Sequence, residues 1–367
     1  MLKGSYQKLL QKTKRTLSSI QARFHTKTWP HQSIVIYASE TPYEWSPDSL
    51  KTGIGGAEGR VIHLAKEWAK LGYEVTVFNS CGAKEGVYEN VNYLNHIKFN
   101  PYDSFDTLVV WHFAWRIKFP IKANRVWLDL GKGVLLPRES TYEKLGKYDK
   151  IFCKNDFHRS TLPDIPDEKI VIIPNGLDDN FQDLRENPKD PHKIIYASNY
   201  SRGLERMLEF GWPIIKQEYP LAELHIFYGW PKGVSEEWKA KMLKLMQQPG
   251  VTEHGKISRE RLMQEKSKST IHYYGCTFDE IDCNTVRESA FVGCIPVTTD
   301  YAGLKDKDYC LKVPGNPFTQ ETQEALARQI ISLLKSPEKL STLSDKVFNL
   351  VQSETWNNVA KQWLSEI

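Results

Sequence analysis

Nothing in these 367 residues approaches the roughly 20 consecutive apolar positions that a membrane helix needs, and the start lacks the apolar core of a signal peptide. With 40% hydrophobic and 26% charged residues, both absences fit a soluble, cytoplasmic globular protein. No CxxC or other ligand-like spacing relates the six cysteines (Cys81, Cys153, Cys276, Cys283, Cys294 and Cys310). A zinc cluster and a disulfide framework are therefore not expected, and free thiols in a reducing compartment are. Acidic residues are missing from positions 1–30, which hold seven Lys and Arg: Lys3, Lys8, Lys12, Lys14, Arg15, Arg23 and Lys27. Beyond them 42 bases face 45 acids. The basic excess does not continue into the body, which argues against a nucleic-acid partner. Leu2, Tyr6, Leu9, Leu10, Leu17, Ile20 and Phe24 recur at helical spacing in the basic segment. Three readings fit it: an amphipathic helix in peripheral contact with an anionic membrane surface, a basic extension on the body, or a targeting segment.

The rest is too long for one ordinary core, and its pattern falls into two halves. "SIVIYAS" is a short β-branched run expected as a buried strand. "AEGRVIHLAKEWAKLG" puts Val61, Leu64, Ala65, Trp68 and Leu71 on one helical face, with Gly72 as its stop. "YEVTVFNS" follows as a strand, completing a β-α-β unit that needs its crossover helix. Further strands are expected at 107–113, 125–130, 150–155 and 169–176. The polar stretch 177–193 reads as a linker, after which strands and helices alternate again, and the end is helical. The expected division is a basic extension at 1–30, a first α/β domain at 31–180, a second at 181–345, and a closing helix at 346–367 that crosses back to the first domain. Open α/β sheets bind ligands at the carboxyl ends of their strands, so two facing Rossmann-like domains place a cleft there.

Four stretches bear on that cleft. "TGIGGAEGR" sets Gly55 and Gly56 before a helix, where backbone N–H groups meet an anion. A dinucleotide fingerprint would need glycine where Glu58 stands, which speaks against an oxidoreductase. "ASNYSRGL" puts Arg202 at a strand-to-helix junction, with a guanidinium suited to phosphate or, more plainly, to solvent. "EHGKIS" turns near Ile257, where backbone would lie against a flat ring. "IHYYGCTFDEIDCNTVRESAFVGCIPVTT" sets Glu280 and Glu288 between two apolar runs, where a buried carboxylate needs partners. Sugar and ribose hydroxyls would serve.

Taken in order, "GGAE", "IPNGLD", the basic residue before "GL", "YPLAELHIFYG", and E-x7-E ahead of "GCIPV" resemble the retaining family 4 glycosyltransferases of the GT-B fold, over about residues 33–335. "HIFYGW" and "IPVTTD" look most like a subgroup of bacterial and large-virus glycan-building enzymes. The resemblance implies that Glu280 holds donor-sugar hydroxyls and acts at the reacting centre, and that Glu288 binds the ribose. The backbone of Ile281, Asp282, Cys283, Asn284 and Thr285 would face sugar and phosphate, and Arg202 would neutralise the diphosphate. Gly55 and Gly56 would close over the donor, and Ile257 would fall at the base. A second basic residue usual before Arg202 is replaced here, leaving Ser198 and Asn199 as neutral donors. A histidine usual after the strand matching "WLDL" is also missing. Asp129, Lys132 and His112 are the nearby substitutes.

The expectation is a GT-B enzyme that moves a sugar from a nucleoside diphosphate donor, UDP- or GDP-linked, to a glycan, lipid-linked or protein hydroxyl. Retention, no metal and no cofactor are expected from the resemblance. The alternative is a non-catalytic binder of nucleotide sugars or glycans on the same fold.

Overall fold

The computed structural model describes residues 22–131, 133–231 and 233–367. Lys132 and residues 1–21, which include most of the basic segment, lie outside them. The described end of that segment is anchored: buried Trp29 stacks on Phe105 and meets Phe78 edge-on, and its Nε1 donates to Asp103.

The strands form two sheets. The first holds β1 (Ser33–Ser39), β2 (Glu74–Asn79), β3 (Gly86–Tyr88), β4 (Val91–Asn95), β5 (Ser104–Trp111), β6 (Lys122–Asp129), β7 (Lys150–Cys153) and β8 (Ile170–Ile172). Its order is β3-β4-β2-β1-β5-β6-β7-β8, parallel except for β3 against β4. The second holds β9 (Asp190–Ala197), β10 (Glu223–Phe227), β11 (Val251–Glu253), β12 (Ser269–Tyr274), β13 (Ile295–Thr299) and β14 (Leu311–Val313), in the order β11-β10-β9-β12-β13-β14. Central strands such as β12 are buried at every position, as parallel strands covered on both faces must be.

Seven helices matter below: α1 (Gly56–Lys70), α2 (Glu236–Met246), α3 (Arg259–Lys268), α4 (Asn284–Phe291), α5 (Gln320–Leu334), α6 (Pro337–Val351) and α7 (Trp356–Leu364). The apolar face expected for α1 is real: Val61, Leu64, Ala65 and Trp68 are buried against the first sheet. α7 joins that same cluster. Its Trp363 stacks on Phe152 at 3.4 Å and meets Trp68 edge-on, and the Trp68 indole donates to Ala360 O. Removing a buried indole of this kind costs about 3–5 kcal/mol. α2 and α5 pack on the second core through Met242, Met246, Leu326 and Ile330.

The chain crosses between the sheets twice. The first crossing is not a plain polar linker, because Asp179–Glu186 forms a 3₁₀ helix and β9 already begins at Asp190. The second, between α6 and α7, pairs with the first: Leu177 N donates to Glu354 O, and Trp356 N to Leu177 O, at 2.7 and 3.0 Å. The helical run that starts at Leu204 is not broken at Gly211 and Pro213: Met207–Gly211 widens into a π-turn that runs straight into the helix Trp212–Glu218.

Candidate functional site at the facing sheet ends

The carboxyl ends of the two sheets meet. Lys256, after β11, reaches Gly53 O of the loop before α1 at 3.4 Å. The amide of Asn284, first residue of α4, lies against Gly56. A β-carbon there would sit 2.9 Å from its Nδ2, so a larger residue would push the Asn284 side chain aside. α1 has 15 residues and α4 has 8, and each offers free N–H groups at its start, with Gly55 and Cys283 as N-caps that make no side-chain bond.

Glu280 stands just ahead of α4 and is 6% exposed. Its Oε1 accepts from Tyr274 Oη and from Arg202 Nη1, both at 2.6 Å. Arg202 lies over the Phe278 ring at 4.4 Å, and the Glu280 charge overcomes burial to keep it cationic. Ser198 Oγ is 3.2 Å from Tyr274 Oη, which makes a chain Ser198–Tyr274–Glu280–Arg202. Asn199 does not join it, because its Oδ1 accepts from Ser201 N and Oγ and closes the local turn.

Glu288 lies one turn into α4. Lys266 Nζ is 2.6 Å from one oxygen and Arg259 Nη2 is 3.3 Å from the other. Burial would raise its pKa, but Lys266 and then Arg259 hold it down at about 2. The expectation that both glutamates wait for a ligand's hydroxyls is thus corrected: the protein already supplies each with a cation. Carboxylates offer about four lone-pair directions, so hydroxyls can still add to these pairs.

Asp282 serves the frame. Its carboxylate is fully buried, accepts from Arg287 Nη2 at 2.5 Å and from Asn175 N at 2.5 Å, and pairs with Lys307 Nζ. Ile281 O accepts from Asn155 Nδ2 of the first domain at 2.6 Å. Its carbonyl is therefore tied across the cleft. Thr285 Oγ1 donates to Ala197 O. Ile257 turns its side chain into a small cluster with Ile195, Phe227 and Met263, and Ser258 beside it caps α3.

The opposite wall is different. Asp129, named above as a catalytic substitute, is buried between Arg60 Nη2 and Lys154 Nζ, each at 2.9 Å. Its carboxylate is committed to those cations and is not offered to the cleft. Lys154 is pushed down to about 8, by burial first and then by the Arg60 charge. Arg60 also donates to Asn175 Oδ1 at 3.4 Å. This packing explains why residue 131 is glycine: a β-carbon would sit 2.3 Å from Arg60 Nη2 and 3.0 Å from His112 Nδ1. A histidine could not be housed there without moving both. His112 itself, just after β5, is in the left-handed region, with φ 74°, which is uncommon for a residue other than glycine. Its N–H donates to Asp129 O.

Tyr274, Lys266, Arg259, Arg60, Lys154 and Asn155 were not singled out from sequence. Lys266 and Arg259 sit in "RERLMQEKSKS", which reads as a helix with no site marked on it, and Arg60 interrupts the apolar face of α1. A buried base at a helix's apolar face was the one available signal. A cavity of about 340 Å³ behind the paired crossings is lined by His63, Lys66, Asp178 and Trp356 among others, and by none of the expected donor residues.

No family model matches the chain, and no curated protein matches it by sequence. Solved structures do match. A sucrose-phosphate synthase from Thermosynechococcus elongatus shares 15% identity at a TM-score of 0.68, over 92% of this chain and 98% of that one. The trehalose-6-phosphate synthase OtsA shares 12% at 0.67, over 91% and 98%. HepE of Anabaena, solved with UDP and glucose, shares 12% at 0.64, over 92% and 100%. At such identities the likeness speaks for the fold, and the fold is GT-B: two Rossmann-like domains across a cleft.

Proposed function

We propose that this GT-B chain is a retaining glycosyltransferase, which takes a sugar from a UDP- or GDP-linked donor to an acceptor hydroxyl on a glycan or glycoconjugate. The observation that carries the reading is the Arg202–Glu280 pair at the mouth of α4, whose first residue, Asn284, lies against Gly56 at the start of α1. Each helix end contributes roughly half a positive charge, and Arg202 a full one. Together they suit a diphosphate that gains charge as it leaves, which is electrostatic preorganisation without a required metal. Glu280 would accept donor-sugar hydroxyls, and Glu288 the ribose diol. In the transfer the bond from the anomeric carbon to the phosphate oxygen breaks, and a bond to the acceptor oxygen forms on the same face. The departing phosphate oxygen takes the acceptor's proton. HepE, bound to UDP and glucose, has the same fold and supports a sugar-nucleotide donor.

The test is to incubate the chain with UDP- and GDP-sugars and a panel of acceptors, and to measure nucleoside diphosphate release and the product anomer by NMR. The reading expects release with an unchanged anomeric configuration. Donor binding without turnover for any acceptor would leave a binding protein instead, and an inverted product would remove retention.

A further inference from the structure

Two phenyl rings stand half-exposed on backbone that is pinned. Phe278, in the loop between β12 and α4, is 45% exposed, and Phe318, ahead of α5, is 46% exposed. Phe278 N donates to Cys276 Sγ at 3.4 Å, and Phe278 O accepts from Glu280 N at 2.7 Å. Phe318 N donates to Asn316 Oδ1 at 3.0 Å, and Thr319 beside it caps α5. One buried side chain ties the two loops: Gln323 Nε2, on α5, donates to Pro317 O at 2.8 Å and to Gly275 O at 3.4 Å. Exposed apolar side chains scattered singly need no explanation, but these two are joined. Tyr301 meets Phe318 edge-on at 6.1 Å and donates its hydroxyl to Asp279 Oδ1, beside Phe278, at 2.6 Å. That bond first, and then burial, push the Tyr301 pKa up to about 12, so the hydroxyl keeps its proton for Asp279. Asp279 Oδ2 has no protein partner among the described residues.

These rings are continuous with the donor site. Arg202 lies over Phe278 at 4.4 Å while its Nη1 holds Glu280 at 2.6 Å. The first domain reaches the same loop, because a β-carbon at Gly133 would lie 3.8 Å from Asp279 O. Phe278 therefore stands at the mouth of the cleft, beside the acid that would hold the donor sugar. A pyranose has a face of C–H groups, which suits the negative face of an aromatic ring. It also has a rim of hydroxyls, which suits a carboxylate with an oxygen to spare. The same carboxylate, set between the rings, meets an anionic lipid surface or a phosphorylated chain with like charge.

We propose that Phe278, Asp279, Tyr301 and Phe318 form an acceptor subsite on the second domain, and that the acceptor it selects is a neutral oligosaccharide longer than a single sugar. Phe278 stacks the ring nearest the transferred sugar, Asp279 accepts from hydroxyls, and Phe318 stacks a ring further along the chain. This rests on the donor-site reading above, and it puts part of acceptor recognition on the domain that also holds the donor.

The experiment pairs UDP- and GDP-sugars with ladders of mono-, di- and trisaccharides of glucose, galactose, mannose and N-acetylglucosamine, alongside lipid-linked and peptide acceptors. KM and kcat for each acceptor are measured for the wild type, Phe278→Ala, Phe318→Ala and Asp279→Asn. Melting curves confirm folding, and nucleoside diphosphate affinity by calorimetry is the control. The proposal expects the wild-type KM to fall by about 3- to 10-fold from monosaccharide to trisaccharide, the size of one aromatic stacking contact. Phe318→Ala should erase that preference and leave both the monosaccharide KM and the nucleotide affinity as they were. Phe278→Ala and Asp279→Asn should raise KM at every length. Phe318 touches no donor group, so its variant decides the matter even where Phe278→Ala disturbs Arg202. A length preference that persists in Phe318→Ala, or is absent from the wild type, overturns the proposal and leaves the donor site standing. Nucleotide binding with no transfer to any sugar of the ladders, or with transfer only to lipid-linked or peptide acceptors, does the same. If no nucleotide binds the wild type, the donor-site reading falls first and takes this one with it.

Discussion

The two walls of the cleft both hold acids between cations, but they differ in access. On the second-domain side each pair has one partly open partner: Arg202 is 33% exposed against 7% for Glu280, Glu288 is 16% against 0% for Lys266, and Arg259 is 21%. On the first-domain side Arg60, Asp129 and Lys154 are 3%, 3% and 1% exposed. An open pair can exchange one partner for a ligand at little cost, because water and ligand both reach it. A closed pair cannot, because removing either partner strands a charge away from water. Under the proposed function, the same chemistry serves recognition on one wall and architecture on the other.

The largest way to break the comparison is Asp129→Asn. It keeps the shape but leaves Arg60 and Lys154 without their counter-charge, and should cost about 3–5 kcal/mol in urea unfolding. Arg202→Ala should do the reverse. Its loss should lower the urea midpoint less than Asp129→Asn does, because water reaches Glu280 where the 33% exposed Arg202 stood, and should lower kcat by about 10²–10³-fold, as removal of a single preorganised charge donor does. Glu280→Ala should also act mainly on kcat. Glu288→Gln is expected to weaken nucleoside diphosphate binding by about tenfold, or 1.4 kcal/mol, in a calorimetric titration, with a smaller change in kcat.

The smallest effect is on acid stability. His63 titrates near 4 in the folded chain, against an ordinary 6.5, so the unfolded chain binds this proton first as pH falls. Its contribution is complete above about pH 6.5 and is lost down to about pH 4. Glu288, at about 2 against 4.5, adds a loss of the same sign between 4.5 and 2. Urea midpoints should therefore fall from pH 7 to pH 4, and less steeply in His63→Gln.

The fold was legible because buried parallel strands write themselves as apolar runs. "SIVIYAS" becomes β1 at Ser33–Ser39, and "TIHYYG" yields β12. The edge strands β3 and β14, and β4 beside β3, are short and carry no such run, and they escaped notice. Glu280 and Glu288 stood out because acids between strands are costly. Their partners did not: Lys266 and Arg259 look like ordinary helix surface until the second sheet and the hinge close over them. The crowding at Gly131 depends on Arg60 of α1 reaching Asp129 at the end of β6, which no local pattern records.

The most direct test of the central claim is a calorimetric titration of wild type, Arg202→Ala and Asp129→Asn with UDP and GDP, at a denaturant-free temperature where all three remain folded. The account predicts that one diphosphate binds the wild type, that Arg202→Ala weakens it by at least about tenfold, and that folded Asp129→Asn binds as the wild type does. Equal affinity for the wild type and Arg202→Ala, with loss in Asp129→Asn, would put the donor on the other wall and contradict it.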